Sequence, residues 1–341
     1  MNVSSAPSEA LRGFHAPPIL PGVLVAAAIA LLATLLARFV PLIGAPVLAI
    51  VLGIVLRLLV PLPQALRAGF VFSAKQVLQL AIIVSGFGLS LAAVAQTGWE
   101  TLPVTVGTIA VALVLAPLVG RLLKIDTSLE RLIGIGTAIC GASAIAAVAS
   151  VIEPLEADVA LAIATIFFYN VVAVFAFPAL GGLMHLTQNQ FGVWAGTAIN
   201  DTSSVVAAGY AFGSQAGQHA TIVKLTRATF ILPIVAIVAV VHARAQHAGG
   251  VRVAWRKVVP WFILWFVVAA CINTTGIVPS GWHPGITQTS TFLISTALAA
   301  IGVQTEVARL ARSGARPLAL GFVLWVAVAV VSLLLQRATG S

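Results

Sequence analysis

The chain consists of long apolar segments separated by short polar ones. Each segment is about 18 to 24 residues long, close to the ~20 residues that a helix needs to cross the hydrocarbon core. The segments lack the strict two-residue alternation of an outer-membrane barrel. The pattern therefore predicts an all-α fold, a polytopic transmembrane helical bundle of about 11 spans. The predicted spans are residues 19–39, 44–61, 76–95, 102–120, 132–152, 158–179, 191–213, 220–242, 259–278, 288–307 and 317–336.

Composition excludes an ordinary soluble protein. Hydrophobic residues make up 60% of the chain, charged residues 8%, and the mean hydropathy is +1.09, whereas about a quarter of a soluble chain is charged. The first apolar stretch is long and has no cleavage motif, so it is interpreted as a spanning helix rather than a signal peptide. We expect a cytoplasmic N-terminal tail (1–18), a single transmembrane transporter domain (19–336) and a C-terminal tail (337–341).

The formal charge of +9 reflects membrane topology rather than nucleic-acid binding. The 18 Lys and Arg residues form no basic face. If the N-terminus is cytoplasmic, fourteen of them fall on the inner side and two, Arg38 and Arg337, on the outer side. This bias predicts a multi-pass protein of the cell (inner) membrane with a cytoplasmic N-terminus. The two cysteines, Cys140 and Cys271, lie in apolar segments and form neither a disulfide framework nor a zinc motif.

Two internal similarities indicate repeats. Residues 86–98 resemble residues 302–314 at an offset of 216, and the same offset superposes spans one, two and four on spans eight, nine and eleven. Helices seven apart run in opposite directions, so this similarity predicts the inverted-topology repeat of many secondary transporters. The second similarity joins GTAICGASA (136–144) to GTAINDTSS (196–204) at an offset of 60. Eleven continuous spans would make spans five and seven parallel, which leaves this spacing without a topological explanation.

Spans five and seven carry small polar residues near their middle, which predicts broken mid-membrane helices. Gly141 permits unwinding, and Ser143 can cap a second half-helix. Residues 200–204 are likewise of types that prefer an N-cap to a helix interior. A half-helix that begins inside the membrane directs free N–H groups and a positive dipole end toward anions. The candidate anion ligands in these breaks are Cys140, Gly141, Ser143, Asn200, Thr202, Ser203 and Ser204.

Asp201 lies near the middle of span seven, and Lys224 and Arg227 lie inside span eight; a charged residue within a span costs roughly 2.5 to 3.5 kcal/mol on insertion scales. Lys224 and Arg227 are three residues apart near the outer end of span eight and share a face, so we expect them to attract and bind the anion. Asp201 is the candidate ion-coupling group for H⁺ or Na⁺. Alternatively, Asp201 forms a permanent salt bridge with Lys224 or Arg227. Asn170 is expected to bond across helices.

At these residues the chain resembles a known family. The segments LIGIGTAICGASAIAAV, AINDTSSVVAAGYAFG, VKLTRATFILPI and TALAAIGVQT are similar to those of the YeiH-like sulfate exporter family, from about residue 40 to 330. The resemblance implies a fold of the cation/proton antiporter and anion transporter group, with inverted repeats and unwound helices that cross at mid-membrane. It implies site residues at Cys140, Gly141, Ser143, Asp201, Lys224 and Arg227.

Two departures from the family bear on mechanism. Many members have His-Glu where this chain has Asn200 and Asp201, so a coupling step that depends on histidine is not expected here. Many have Arg after a Gly-Phe pair in span three, where this chain has Gly88, and the loss of that cation can alter the substrate.

Taken together, these features predict a secondary active transporter that moves a small anion, sulfate or a sulfonate-like relative, by alternating access coupled to H⁺ or Na⁺. The alternative is a cation/proton antiporter with Asp201 as the ion ligand. An enzyme is not expected, because the predicted membrane core contains no histidine, metal cluster or nucleotide loop. Neither a cofactor nor a metal is predicted. The expected partners are the anion, the coupling ion and membrane lipid, with a homodimer left open.

Overall fold

The computed structural model describes residues 19–39, 44–245, 261–304 and 314–340, and its secondary structure in this part is helical. The predicted tail 1–18 lies outside the described residues, as does residue 341. Six helices in the described part are long and apolar enough to cross a membrane, so the predicted polytopic helical bundle is confirmed. The helices are α1 (Leu20–Leu36), α2 (Ala45–Leu59), α3 (Gln64–Gly86), α4 (Leu91–Glu100), α5 (Leu102–Leu122), α6 (Thr127–Ala138), α7 (Ala142–Ile152), α8 (Glu156–Leu183), α9 (Gln188–Ala198), α10 (Thr202–Phe212), α11 (Ser214–Thr229), α12 (Ile231–Ala245), α13 (Trp261–Thr274), α14 (His283–Gln304) and α15 (Ala315–Thr339).

The third span differs from its predicted bounds. Instead of one helix over 76–95, α3 ends at Gly86 and a separate short helix, α4, follows after a turn. The Ser90 hydroxyl starts α4 by accepting a hydrogen bond from the Ala93 N–H at 3.1 Å. Polar residues in the first half of α3, among them Lys75, lower the hydropathy of this segment. The predicted start of the span, residue 76, therefore falls later in the chain than the observed start, Gln64.

The predicted seventh span is a re-entrant hairpin rather than a crossing helix. The Gln188 side chain, at the start of α9, accepts from the Ala216 N–H at 3.1 Å, just beyond the end of α10. The rings of Phe191 and Phe212 stack with centroids 4.0 Å apart. A continuous helix would hold these two residues about 31 Å apart. Helices α9 and α10 are therefore antiparallel arms, named hairpin 2 (residues 188–212), whose tip is at Ile199–Asp201.

The predicted fifth span has the same form. Arg131, at the start of α6, and Ile152, at the end of α7, line one cavity of about 280 Å³ together with residues of α5 and α12. A straight helix would separate them by about 31 Å. The missing side chain of Gly136 leaves room for Ile145 from the opposite arm. Helices α6 and α7 thus form hairpin 1 (residues 127–152).

The two hairpins explain the 60-residue spacing. Their second arms, α7 and α10, have bounds 60 residues apart, and the first arms end 60 residues apart as well. One crossing helix, α8, connects the hairpins, so they enter the bundle from opposite sides. The charge bias is unaffected, because the two loops that change sides, 153–155 and 184–187, contain no Lys or Arg. Eleven continuous spans with a cytoplasmic N-terminus would place Glu153 on the outer side, but its loop instead lies on the side where hairpin 1 enters.

The 216-residue repeat is visible in the helix bounds. Helices α2, α3 and α5 correspond at this offset to α13, to residues 280–304 and to α15, with ends that agree to within about three residues. In the described part of the chain, four crossings (α3, α5, α8 and α11 with α12) lie between α2 and α13, and this even number is the one expected for helices that run in opposite directions. The similarity that suggested this repeat ends at residue 314, and its residues 305–313 lie outside the described part.

The helices pack as two bundles. The first contains α1, α2, α3, α13 and α14, and the second contains both hairpins with α5, α8, α11, α12 and α15. The bundles meet along an apolar surface where Val206 and Ile222 pack near Ile50 and Ala297. Among the described residues, the side-chain hydrogen bonds that join the helices of these bundles stay within one bundle. Between the described residues, the contact of the two bundles is therefore made by packing of apolar side chains.

Candidate functional site

Lys224 connects the tips of the two hairpins. It lies in α11, is 0% exposed, and donates from Nζ to the carbonyls of Ile139 at 2.8 Å and Ile199 at 2.9 Å. These carbonyls follow the last residues of α6 and α9, the first arm of each hairpin. The ends of these helices leave carbonyls without intrahelical partners and carry the negative end of the dipole. The positive charge of one ammonium group therefore compensates the negative dipole ends of two helices.

Arg227 performs the same task one turn later. Its Nε donates to Ala138 O at 2.8 Å and its Nη2 to Thr137 O at 2.7 Å, both on hairpin 1. Its Nη1 donates to Thr197 O on hairpin 2. The side chain is 0% exposed, and five donors in a planar fork suit such multiple contacts. Both cations therefore hold the hairpins together.

These contacts correct two sequence expectations about the cations. Lys224 lies ten residues beyond Ser214, the first residue of α11, about 15 Å into the bundle rather than near the outer end. Lys224 donates from Nζ, and Arg227 from Nε, Nη1 and Nη2, to carbonyl oxygens. Within the described part of the chain neither cation forms an ion pair with Asp201, so the permanent salt bridge is wrong. Their positive charge remains at the tips, compensated by dipoles.

Asp201 caps the second arm of hairpin 2. Its Oδ2 accepts from the Ser203 N–H at 3.0 Å, from the Ser204 N–H at 3.4 Å and from the Ser203 hydroxyl. This is the standard N-cap arrangement, in which a side-chain oxygen satisfies the first amides of a helix. Asp201 and Thr202 are half-buried. A carboxylate thus already occupies the position that an anion would take at the start of α10.

Asn170 completes the tip of hairpin 2 from α8. Its Oδ1 accepts from the N–H of Asn200 at 3.2 Å and from the N–H of Asp201 at 3.3 Å. The expected bond across helices is confirmed, although the sequence did not identify Asn170 as part of the site. The available signal was a strongly polar amide halfway along a span, where it costs free energy unless it has partners.

Hairpin 1 has no such cap. Its N-cap residue is Gly141, with φ 67° and ψ −126°, a conformation that favours glycine. The N-cap residue supplies no side-chain acceptor to α7, and Ala142 and Ser143 are exposed. The 60-residue repeat aligns Gly141 with Asp201. Hairpin 1 therefore presents open amides where hairpin 2 has its own carboxylate.

The two tips touch. A side chain at Gly141 would lie 3.8 Å from Cβ of Asn200, and Asn200 is 1% exposed. The Asn200 Oδ1 is buried without a hydrogen-bond donor, which is costly for an amide oxygen. Cys140, beside Gly141, is a buried free thiol. The structure thus brings the predicted residues of both breaks together around α11, with Thr202, Ser203 and Ser204 on the hairpin 2 side.

The comparisons with known proteins agree with a membrane protein. The family model described as Conserved hypothetical protein 698 matches residues 21–321. A UPF0324 membrane protein of Streptococcus pneumoniae is 41% identical over 327 residues, covering 94% of this chain and 97% of the relative. UPF0324 membrane proteins of Clostridium tetani (40% over 336 residues; 94% and 97%) and Fusobacterium nucleatum (38% over 339 residues; 94% and 98%) are similar over the same extent. The resemblance noted in the sequence is confirmed, and this chain belongs to the Conserved hypothetical protein 698 family of membrane proteins.

Proposed function

We propose that this protein is a secondary active transporter that moves a small oxyanion, sulfate or a sulfonate-like relative, by alternating access. The observation that carries the proposal is the open start of α7, beside two fully buried cations. A helix N-terminus with free amides binds anions, and membrane transporters use such mid-membrane ends for anionic substrates.

The proposal assigns different roles to the two hairpins. At hairpin 1 the amides of Ala142 and Ser143, with the Ser143 hydroxyl, receive the oxyanion. Lys224 and Arg227 supply positive charge without direct contact, since their donors are engaged by carbonyls. Hairpin 2 carries Asp201, whose carboxylate is half-buried and next to the site. Asp201 then couples transport by binding H⁺ or Na⁺ as the anion loads.

The division into two bundles supports alternating access. The hairpins enter from opposite sides, and the tips with both cations belong to one bundle. The surface against the other bundle is apolar, so a relative displacement breaks no hydrogen bond that joins described residues of the two bundles. Movement of one packed bundle against another is a common route to alternating access.

The test is uptake of labelled sulfate, sulfite or taurine into proteoliposomes that contain the purified full chain. Wild-type uptake should exceed that of empty vesicles, and Ser143→Ala should reduce it because one donor to the anion is lost. Asp201→Asn should uncouple uptake from the ion gradient while the helix cap is retained, since Asn is as good an N-cap as Asp. Ser150→Ala, on the same arm but farther from the tip, is the matched control. Uptake equal to empty vesicles for all three anions would refute the proposal.

The half-buried position of Asp201 favours one competing function, a cation/proton antiporter in which this carboxylate binds the cation. We rank it second, because three donors already bind the carboxylate and Lys224 donates to Ile199, two residues before it. A pH-jump assay separates the two functions. Proton release on addition of Na⁺, K⁺ or Li⁺, without any response to anions, supports the antiporter.

A further inference from the structure

The charged groups at the hairpin tips do not balance. Around the two tips, the described ionisable side chains are Lys224, Arg227, Asp201 and the neutral thiol of Cys140. With Lys224 protonated, the form that its two carbonyl acceptors favour, two cations against one carboxylate leave one positive charge. The helix ends add nothing to this sum, because two ends carry about −0.5 and two carry about +0.5 charge. The protein groups at the tips therefore carry a net charge of one positive unit, and both cations are fully buried.

A bound monoanion would cancel this charge. A dianion would reverse it, and leaving a net charge of either sign away from water is costly. Electrostatics at the tips therefore favours a substrate of single charge, unless a proton joins Asp201 at the same time. The argument rests on the proposed function in that an anion binds at hairpin 1, and it replaces sulfate, a dianion, with a monovalent oxyanion as the preferred substrate.

A second observation concerns hydrogen bonding. The Asn200 Oδ1 is buried, lies beside Gly141 and has no donor. An oxyanion without hydrogen offers only acceptors, so it can satisfy the amides of α7 and leaves this oxygen unpaired. An oxyanion that carries a hydroxyl group can accept from the amides and donate its O–H to Asn200. The unpaired acceptor and the net charge thus select the same chemistry.

We infer that hairpin 1 and Asn200 together form a site for a monovalent oxyanion that bears a hydroxyl group, such as hydrogencarbonate or hydrogensulfite. In this arrangement Asn200 is a specificity-determining residue and Asp201 sets the charge of the substrate. The site with its bound anion is electrically neutral. Displacement of the bundle that carries it therefore moves no net charge through the apolar membrane interior.

The experiment measures binding of three anions to the purified full chain in nanodiscs by titration calorimetry at matched ionic strength and slightly alkaline pH. Nitrate and hydrogencarbonate are both planar monoanions, and only the second carries a hydroxyl group. Sulfate represents a dianion without a hydroxyl group. The wild type should bind hydrogencarbonate about tenfold more tightly than nitrate, the equivalent of one hydrogen bond, and sulfate most weakly.

Two variants of nearly identical shape change the charge. Asp201→Asn raises the site to two positive units, and we expect the affinity for sulfate relative to nitrate to rise about tenfold or more. Asn200→Asp lowers the site to zero, and all three anions should bind about tenfold or more weakly. Asn200→Ala should remove the preference of hydrogencarbonate over nitrate while nitrate affinity is kept. Each variant is first shown to unfold at a temperature close to that of the wild type.

The outcomes separate this inference from the proposed function. If the wild type binds none of the three anions, this inference falls, and the proposed function falls with it only if uptake of sulfate, sulfite and taurine also equals that of empty vesicles. If it binds sulfate at least as tightly as hydrogencarbonate, or does not distinguish hydrogencarbonate from nitrate, this inference alone is overturned. Because that comparison uses only the wild type, it stands even if a variant fails to fold.

Discussion

Replacement of Arg227 by methionine tests whether the hairpins depend on their shared cation. The guanidinium group is fully buried and donates to three carbonyls on the two hairpins. Without it, each buried carbonyl without a donor costs about 1–3 kcal/mol. Part of this loss of stability is offset, because the desolvation of the guanidinium group, which cost several kcal/mol, is no longer needed. Three carbonyls together cost about 3–9 kcal/mol, and the recovered desolvation leaves an expected net loss of about 3–5 kcal/mol.

The assay is reversible unfolding in mixed micelles, with increasing fractions of denaturing detergent and tryptophan fluorescence as the signal. Arg121→Met is the matched control, because Arg121 is exposed at the end of α5 and its loss should change stability by about 0.5 kcal/mol or less. Arg227→Lys should fall between the two, since it keeps the charge without the planar fork. If Arg227→Met unfolds within about 1 kcal/mol of the wild type, the reasoning about the shared cation is wrong.

Three further predictions concern the hairpins themselves. Gly141→Ala should destabilise the protein by about 1–3 kcal/mol in the same unfolding assay, because the positive φ at this position strains any side chain. The control Gly182→Ala should be nearly neutral, because the space around Gly182 is open. In a chain without its two native cysteines, a cysteine pair at Gln188 and Gly213 should form a disulfide on oxidation; failure to crosslink, also with a short bifunctional reagent, would indicate a straight crossing helix. A cysteine at Glu153 should react with an impermeant maleimide from the same side as one in the α5–α6 loop, and reaction from the other side would contradict the re-entrant form of hairpin 1.

The features of the site that depend on the local properties of single residues were predictable from the sequence. Gly141 and Asp201 were correctly interpreted as points where helices break, because backbone freedom and capping preference are properties of single residues. The contacts of Lys224 and Arg227 were not predictable. Their partners are backbone carbonyls about 25 to 90 residues away in the chain, and every residue type has such a carbonyl. The role of Asn170 was missed for the same reason.

The sequence by itself determined the membrane environment, the number of apolar segments and the position of both breaks, since these follow from hydropathy and from local conformational preferences. Whether a broken segment crosses the membrane or turns back was decided only by the tertiary structure. Both forms have the same length and composition, and the choice depends on contacts between distant residues, such as Phe191 with Phe212. The difference between the two hairpin tips was also decided only by the tertiary structure. The 60-residue repeat aligns Gly141 with Asp201, but only the folded chain shows that the start of α7 is open while the start of α10 is capped by its own carboxylate.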